Sequence, residues 1–224
     1  MSDLLQNELR RRPIRVRGSR LAQEAARALQ RLGMLPNQIS VLSVVFAALG
    51  GAALVAAGRQ DGVWTRVALF LLAGGCVQLR LLCNLLDGLV AIEGGLRTKS
   101  GEIYNELPDR LSDVLLLAAA GYATRCYGME ISLGWGAAAA ALIVAYVRAL
   151  GGQVGAAQQF CGPMAKQQRM FTLTLACALS AAEVITTWPA RAMPWALAAI
   201  LFGSMATAVR RARRIVRELE NGKE

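Results

Sequence analysis

The sequence predicts an all-α integral membrane protein with six transmembrane helices, preceded by an N-terminal amphipathic helix lying in the membrane interface. Three observations carry the prediction. Hydrophobic residues make up 55% of the 224 residues, and the mean hydropathy of +0.39 is high for a soluble domain. The charged residues are bunched, so that long apolar gaps remain between them. Lysine and arginine, finally, crowd into alternate loops, as they do in multi-spanning proteins. The length suits one domain.

Residues 1–38 form a basic segment. Arg10, Arg11 and Arg12 precede any apolar stretch, so it does not read as a cleaved signal peptide, and the first span is expected to serve as the targeting signal. Within the segment, "SRLAQEAARALQRLGMLPNQIS" places Leu21, Ala25, Leu29 and Leu32 on one helical face, with Arg20, Arg27 and Arg31 on another. That pattern predicts a short interfacial helix, ended by Gly33 and Pro36. A window of about 20 residues then gives six spans, at 39–58, 64–91, 109–128, 132–151, 168–188 and 192–210. The first, "ISVLSVVFAALGGAALVAAG", is free of charge. The second holds Arg80, Asn84 and Asp87, and the third opens on Asp109, Arg110 and Asp113. Glycine and alanine recur throughout, which suits close helix packing in lipid. Residues 39–210 thus form the membrane domain and 211–224 a basic tail.

Eight arginines precede residue 35, and five arginines with Lys223 follow residue 209. Loop 92–110 adds Arg97, Lys99 and Arg110, and loop 148–169 adds Arg148, Lys166 and Arg169. The other loops carry only Arg59 and Arg66, then Arg125, then Arg191. This asymmetry places both termini in the cytoplasm, which requires an even number of spans. Glu183 and Trp188 then fall at the opposite interface as anchors. The net charge of +10 comes with no nucleic-acid motif or aromatic platform, so anionic lipid headgroups are the expected partner and nucleic acid is not.

Histidine is absent, which removes imidazole as base and as ligand. Cys76, Cys83, Cys126, Cys161 and Cys177 form no CxxC pair and read as small apolar fillers. Any metal would therefore be held by oxygen. Asn84 and Asp87 share a face of the second span, with Arg80 one turn earlier; Asn105, Asp109 and Asp113 stack at intervals of four if the third helix begins near Ile103. Two adjacent antiparallel helices would bring these faces together near the cytoplasmic surface. Polar groups there face a cavity rather than lipid, and hard oxygens suit Mg²⁺, Mn²⁺ or Ca²⁺. A divalent ion beside a basic loop suits a phosphate or pyrophosphate substrate.

Asp87-Gly88, Ala91, Gly101, Asn105 and Asp109 keep the register D-x2-D-G-x2-A-R-x8-G-x3-D-x3-D, and so resemble the signature of the CDP-alcohol phosphatidyltransferase family. "LPNQIS" at 35–40 is similar to the start of that family's first helix. The sequence departs at three positions: Asn84 and Asn105 replace acids, and Ile92 replaces the arginine. The resemblance implies a six-helix membrane enzyme that transfers a phosphatidyl group from a CDP-linked lipid, such as CDP-diacylglycerol, to a hydroxyl acceptor with release of CMP. It implies Mg²⁺ or Mn²⁺ at the acidic positions Asn84, Asp87, Asn105 and Asp109, with Asp109 as the base. It implies nucleotide contacts at Asp87, Gly88, Ala91 and Gly101, and a homodimer. A phosphate-bearing acceptor would be met by Arg148, Lys166 and Arg169, and Arg97 or Lys99 could stand in for the missing arginine.

Charge says what the asparagines mean. Four carboxylates and two divalent ions are together neutral, whereas Asp87 and Asp109 alone leave an excess of positive charge that a pyrophosphate would cancel. Such a site should hold metal weakly until nucleotide arrives, unless Asp113 or Glu106 supplies a missing acid. Arg80 and Asp113 are equally expected to form a buried structural ion pair. Two rivals stand beside the transferase. A non-catalytic relative would bind nucleotide or lipid. A small transporter would use Arg80, Asp87 and Asp113 as a relay, but the inverted repeats it needs are not visible.

Overall fold

A computed structural model of the chain describes residues 20–93, 101–123, 131–157, 159–187 and 191–221. These form seven helices and, among the described residues, no strand: α1 (Arg20–Arg31), α2 (Pro36–Ala57), α3 (Val63–Glu93), α4 (Gly101–Ala123), α5 (Ser132–Gln153), α6 (Lys166–Thr186) and α7 (Ala192–Asn221). Arg10 to Arg12, Arg97, Lys99, Arg125, Cys126, Trp188 and Lys223 lie outside the described residues, as do the side chains of Leu21, Ile92, Glu93 and Glu102.

α2 to α7 close into a ring in the order α2–α3–α6–α7–α5–α4, with α4 also touching α7. The interior is built from small side chains such as Ala47, Ala57, Ala120, Ala137 and Ala176, filled out by Phe70, Leu116 and Leu173. The outer surface carries large apolar groups instead, among them Leu49, Leu72, Trp135, Phe171 and Phe202. Small inside and large outside is the distribution expected where lipid rather than water surrounds the bundle. Five helices (α2, α3, α5, α6 and α7) are long and apolar enough to cross a membrane. The chain is thus a multi-pass membrane protein.

α4 does not qualify on composition, although it is the third predicted span. Its 23 residues carry Glu106, Asp109, Arg110 and Asp113 in the first half, and the apolar remainder from Val114 to Ala123 covers about 15 Å, half a hydrocarbon core. Within the ring, against α2 and α5, its Asp109 and Asp113 are buried, while Glu106 is exposed.

Backbone contact explains several glycines. A Cβ at Gly134 would lie 2.6 Å from the Gly121 Cα, so α4 and α5 cross at backbone distance. At Gly58 a Cβ would come within 2.3 Å of the Tyr122 carbonyl oxygen, which seats the end of α2 against α4. Gly33 ends the α1 connection at φ +73, a conformation that favours glycine. Glu183 on α6 accepts from the backbone N–H groups of Arg191 and Ala192, both at 3.1 Å, and so caps α7.

α1 packs on the far end of α3. Its buried positions are Ala22 and Ala26, with Ala25 and Leu29 partly covered, against Cys83, Leu86 and Val90. Gln30 Nε2 donates to the Val90 carbonyl at 3.2 Å. The buried stripe is rotated by about one position from the predicted one, and Leu32 is 76% exposed. The helix turns its small alanines to α3 because only they allow close approach, while Leu32 faces outward. α7 continues without a break past residue 210 to Asn221, and a Cβ at Gly151 would lie 2.6 Å from Ile215 Cδ1, so the first turns of the basic tail pack against α5.

A candidate active site at one end of the bundle

Three aspartates come together where α3, α4 and α6 meet, and all three are buried. Asp113, 1% exposed, is gripped from two sides. Arg80 Nη2 donates to its Oδ1 at 2.6 Å, and Arg169 Nη2 to its Oδ2 at 2.8 Å. The pair of Arg80 with Asp113 expected from the sequence is therefore present, but as a triad completed from α6. Arg80 Nη2 also donates to the Asp109 carbonyl at 3.1 Å, fastening the same guanidinium to the α4 backbone.

Asp109 stands one turn earlier on α4. Asn84 Nδ2 donates to its Oδ1 at 2.8 Å, and Lys166 Nζ forms an ion pair with its Oδ2. Arg80 Nη2 lies 3.6 Å from Oδ1. Asp87, one turn beyond Asn84 on α3, receives a hydrogen bond from the Ser40 hydroxyl at 2.6 Å. Among the described residues it has no ion-pair partner, although Asp109 and Lys166 lie near enough for their charges to act on it. Gly88 and Ala91 follow Asp87 on α3 and Gly101 opens α4; all three are partly exposed.

Asn105 is exposed, a turn outside this cluster. Glu106 is bound by Arg110 Nη2 at 2.9 Å and Arg148 Nη2 at 2.5 Å, and the Arg148 guanidinium lies 5.9 Å from the centre of the Phe160 ring. The structure thus gathers Asn84, Asp87, Asp109, Asp113, Lys166 and Arg169 into one cluster, and leaves Asn105 and Arg148 at its rim. Arg169, 1% exposed, is turned wholly inward to Asp113 and the Met164 carbonyl.

α3 and α4 do not pack along each other, as the sequence reading assumed; α2 packs on both, and their long side chains bridge the gap. This is how Ser40, the last residue of "LPNQIS", reaches Asp87 from α2. Sequence spacing gave no hint of that contact, nor of Lys166 on Asp109, because the partners are 47 and 57 residues apart. Among the described residues no three acid or thiol side chains converge as a metal cluster. The oxygen-bearing group that does converge is Asp87, Asn84 and Asp109.

These features define a multi-pass membrane bundle with a buried cluster of acids at one end, and solved structures share its fold. Among the structures it resembles are those of phosphatidylinositol phosphate synthase from Mycobacterium tuberculosis. With CDP-DAG bound, that protein matches at a TM-score of 0.71 and 19% identity, over 88% of this chain and 94% of that one. In complex with manganese and citrate it matches at 0.72 and 19%, over 87% and 88%. In sequence, the bifunctional IPC transferase and DIPP synthase of Rubrobacter xylanophilus is 35% identical over 116 residues, 51% of this chain. The chain spans only 23% of the length of that relative. No protein-family profile matches.

Proposed function

We propose that the chain is a membrane transferase that moves a phosphatidyl or similar phosphoalcohol group from a CDP-activated lipid to a hydroxyl acceptor, releasing CMP. The observation that carries this is the burial of Asp109 and Asp87 in one polar cluster, in a fold shared over most of its length with a phosphatidylinositol phosphate synthase. The two carboxylates and the Asn84 carboxamide are hard oxygen donors and fit Mg²⁺ or Mn²⁺. When bound, such an ion neutralises pyrophosphate charge and eases the departure of CMP.

The chain's own groups do the rest. Asp109 takes the proton of the acceptor hydroxyl. The acceptor oxygen then bonds to the lipid-bearing phosphorus, and the bond from that phosphorus to the oxygen it shares with CMP breaks, so that CMP leaves with the electron pair. Asn84 and Arg80 orient Asp109 for this step, and the triad around Asp113 fixes Arg80. Gly88 and Ala91 leave room for nucleotide against α3. Lys166 and Arg148, both partly exposed, lie on the side from which a phosphate-bearing acceptor would approach, while Arg169 is committed to Asp113. Asp113, with both oxygens committed, organises the site. The same proposal places both termini on the cytoplasmic face of a bacterial inner membrane, six spans including α4, and two chains as a dimer.

The test is an assay of purified protein in lipid nanodiscs with CDP-diacylglycerol, Mn²⁺ and a panel of acceptors, including glycerol 3-phosphate, inositol phosphate and serine. Acceptor-dependent CMP release by one of them is the expected result; binding of the CDP-lipid without release under any condition would favour a non-catalytic role. That second reading has one observation behind it: the ion pair with Lys166 that occupies the proposed base.

A further inference from the structure

The ion pairs in the site are unevenly spread. Asp113 has two guanidinium groups and Asp109 has the Lys166 ammonium, whereas among the described residues the side-chain partner of Asp87 is the hydroxyl of Ser40. Among the described residues three acids and three bases therefore already balance inside the cluster, and Asp87 is the carboxylate without a described cation at contact distance. A divalent ion entering here is drawn to Asp87, because at Asp109 it would have to displace an ammonium group already in contact.

Asn84 points the same way. A carboxylate can only accept, so the atom of Asn84 that meets Asp109 must be its NH₂ group. Its carbonyl oxygen is left as the free end, one helical turn from Asp87 on the same face of α3. An acid at this position would set two carboxylates at hydrogen-bond distance, an arrangement that needs either a shared proton or a cation between them. The amide removes that need by donating a hydrogen bond. Lys166 from α6 and Asn84 from α3 together hold Asp109 as a bound cation otherwise would.

We propose that the site takes a single divalent ion, held at Asp87, and that the Lys166 ammonium serves permanently as the second cation beside Asp109. The proposal rests on the transferase reading but concerns ion count, which can be measured apart from turnover. In that arrangement a pyrophosphate is neutralised on one flank by the ion and on the other by Lys166. The lysine is also the group that must yield Asp109 when the acceptor proton is taken.

The experiment is Mn²⁺ titration of the full chain in nanodiscs containing CDP-diacylglycerol, read by electron paramagnetic resonance and by calorimetry, with thermal unfolding as the check on folding. Wild type should bind one Mn²⁺ per chain, with the six-line signal of an isolated ion. Lys166→Arg, which keeps the charge, should also bind one. Asn84→Asp combined with Lys166→Met should bind two and show the broadened signal of a coupled pair. Two ions in wild type, or none, would overturn the proposal whatever the variants do, and so would a folded double variant that still binds one. If one ion binds as expected but no CMP is released with any acceptor, the single-ion site stands and the transferase reading falls.

Discussion

Asp113 lies 2.6 Å from Arg80 and 2.8 Å from Arg169, with all three side chains at most 1% exposed. Removing the acid would strand two guanidinium groups inside the bundle. Asp113→Ala should therefore lower stability by about 3–5 kcal/mol, the usual cost of an uncompensated buried charge, measured by unfolding in detergent micelles. Glu106, whose side chain is 49% exposed, is paired just as closely; yet Glu106→Gln should cost less than about 1 kcal/mol, because solvent screens both states. Near-equal losses for the two variants would contradict the burial assigned to the triad. The pairing of Arg80 with Asp113 was legible in the sequence, since both interrupt apolar runs that cannot carry a lone charge. The contacts of Lys166 with Asp109 and of Ser40 with Asp87 were not. Spacing rules reach three or four residues along one helix, and these contacts join different helices.

The α4–α5 crossing rests on two glycines whose Cα atoms leave no room for a methyl group. Gly134→Ala should destabilise the protein by roughly 1–3 kcal/mol, because the atoms in the way are backbone and cannot rotate aside. Gly75, by contrast, has nothing within 4 Å of an added Cβ; Gly75→Ala should hold or raise stability by up to about 1 kcal/mol through helix propensity. A thermal-shift comparison of the two variants checks the packing directly. Element positions were largely readable from hydropathy: the first and fourth spans match α2 and α5 within a few residues. The length of α7 was not, because that helix runs on as polar sequence to Asn221. The third span, read at 109–128, corresponds to α4 at Gly101–Ala123, whose charged first half keeps it out of the set of plainly apolar spans.

Whether α4 crosses the bilayer decides which face the molecule presents to its substrates. Gln60 follows α2 and Gln153 ends α5, so α3, α4 and α5 lie between them. Single cysteines at Gln60 and Gln153, in a background with the native cysteines replaced, should react with an impermeant maleimide from opposite sides of the membrane. Labelling from one side would mean that α4 does not cross. Whether Asp87 and Asp109 serve transfer chemistry is measured most directly by single-turnover CMP release from CDP-diacylglycerol with Mn²⁺ and the best acceptor. Wild type should release CMP. Asp109→Asn and Asp87→Asn should each lose at least about 100-fold, in line with removal of a general base or a metal-held charge, with thermal unfolding showing that both variants remain folded. Release at near wild-type rate by either folded variant would contradict the account.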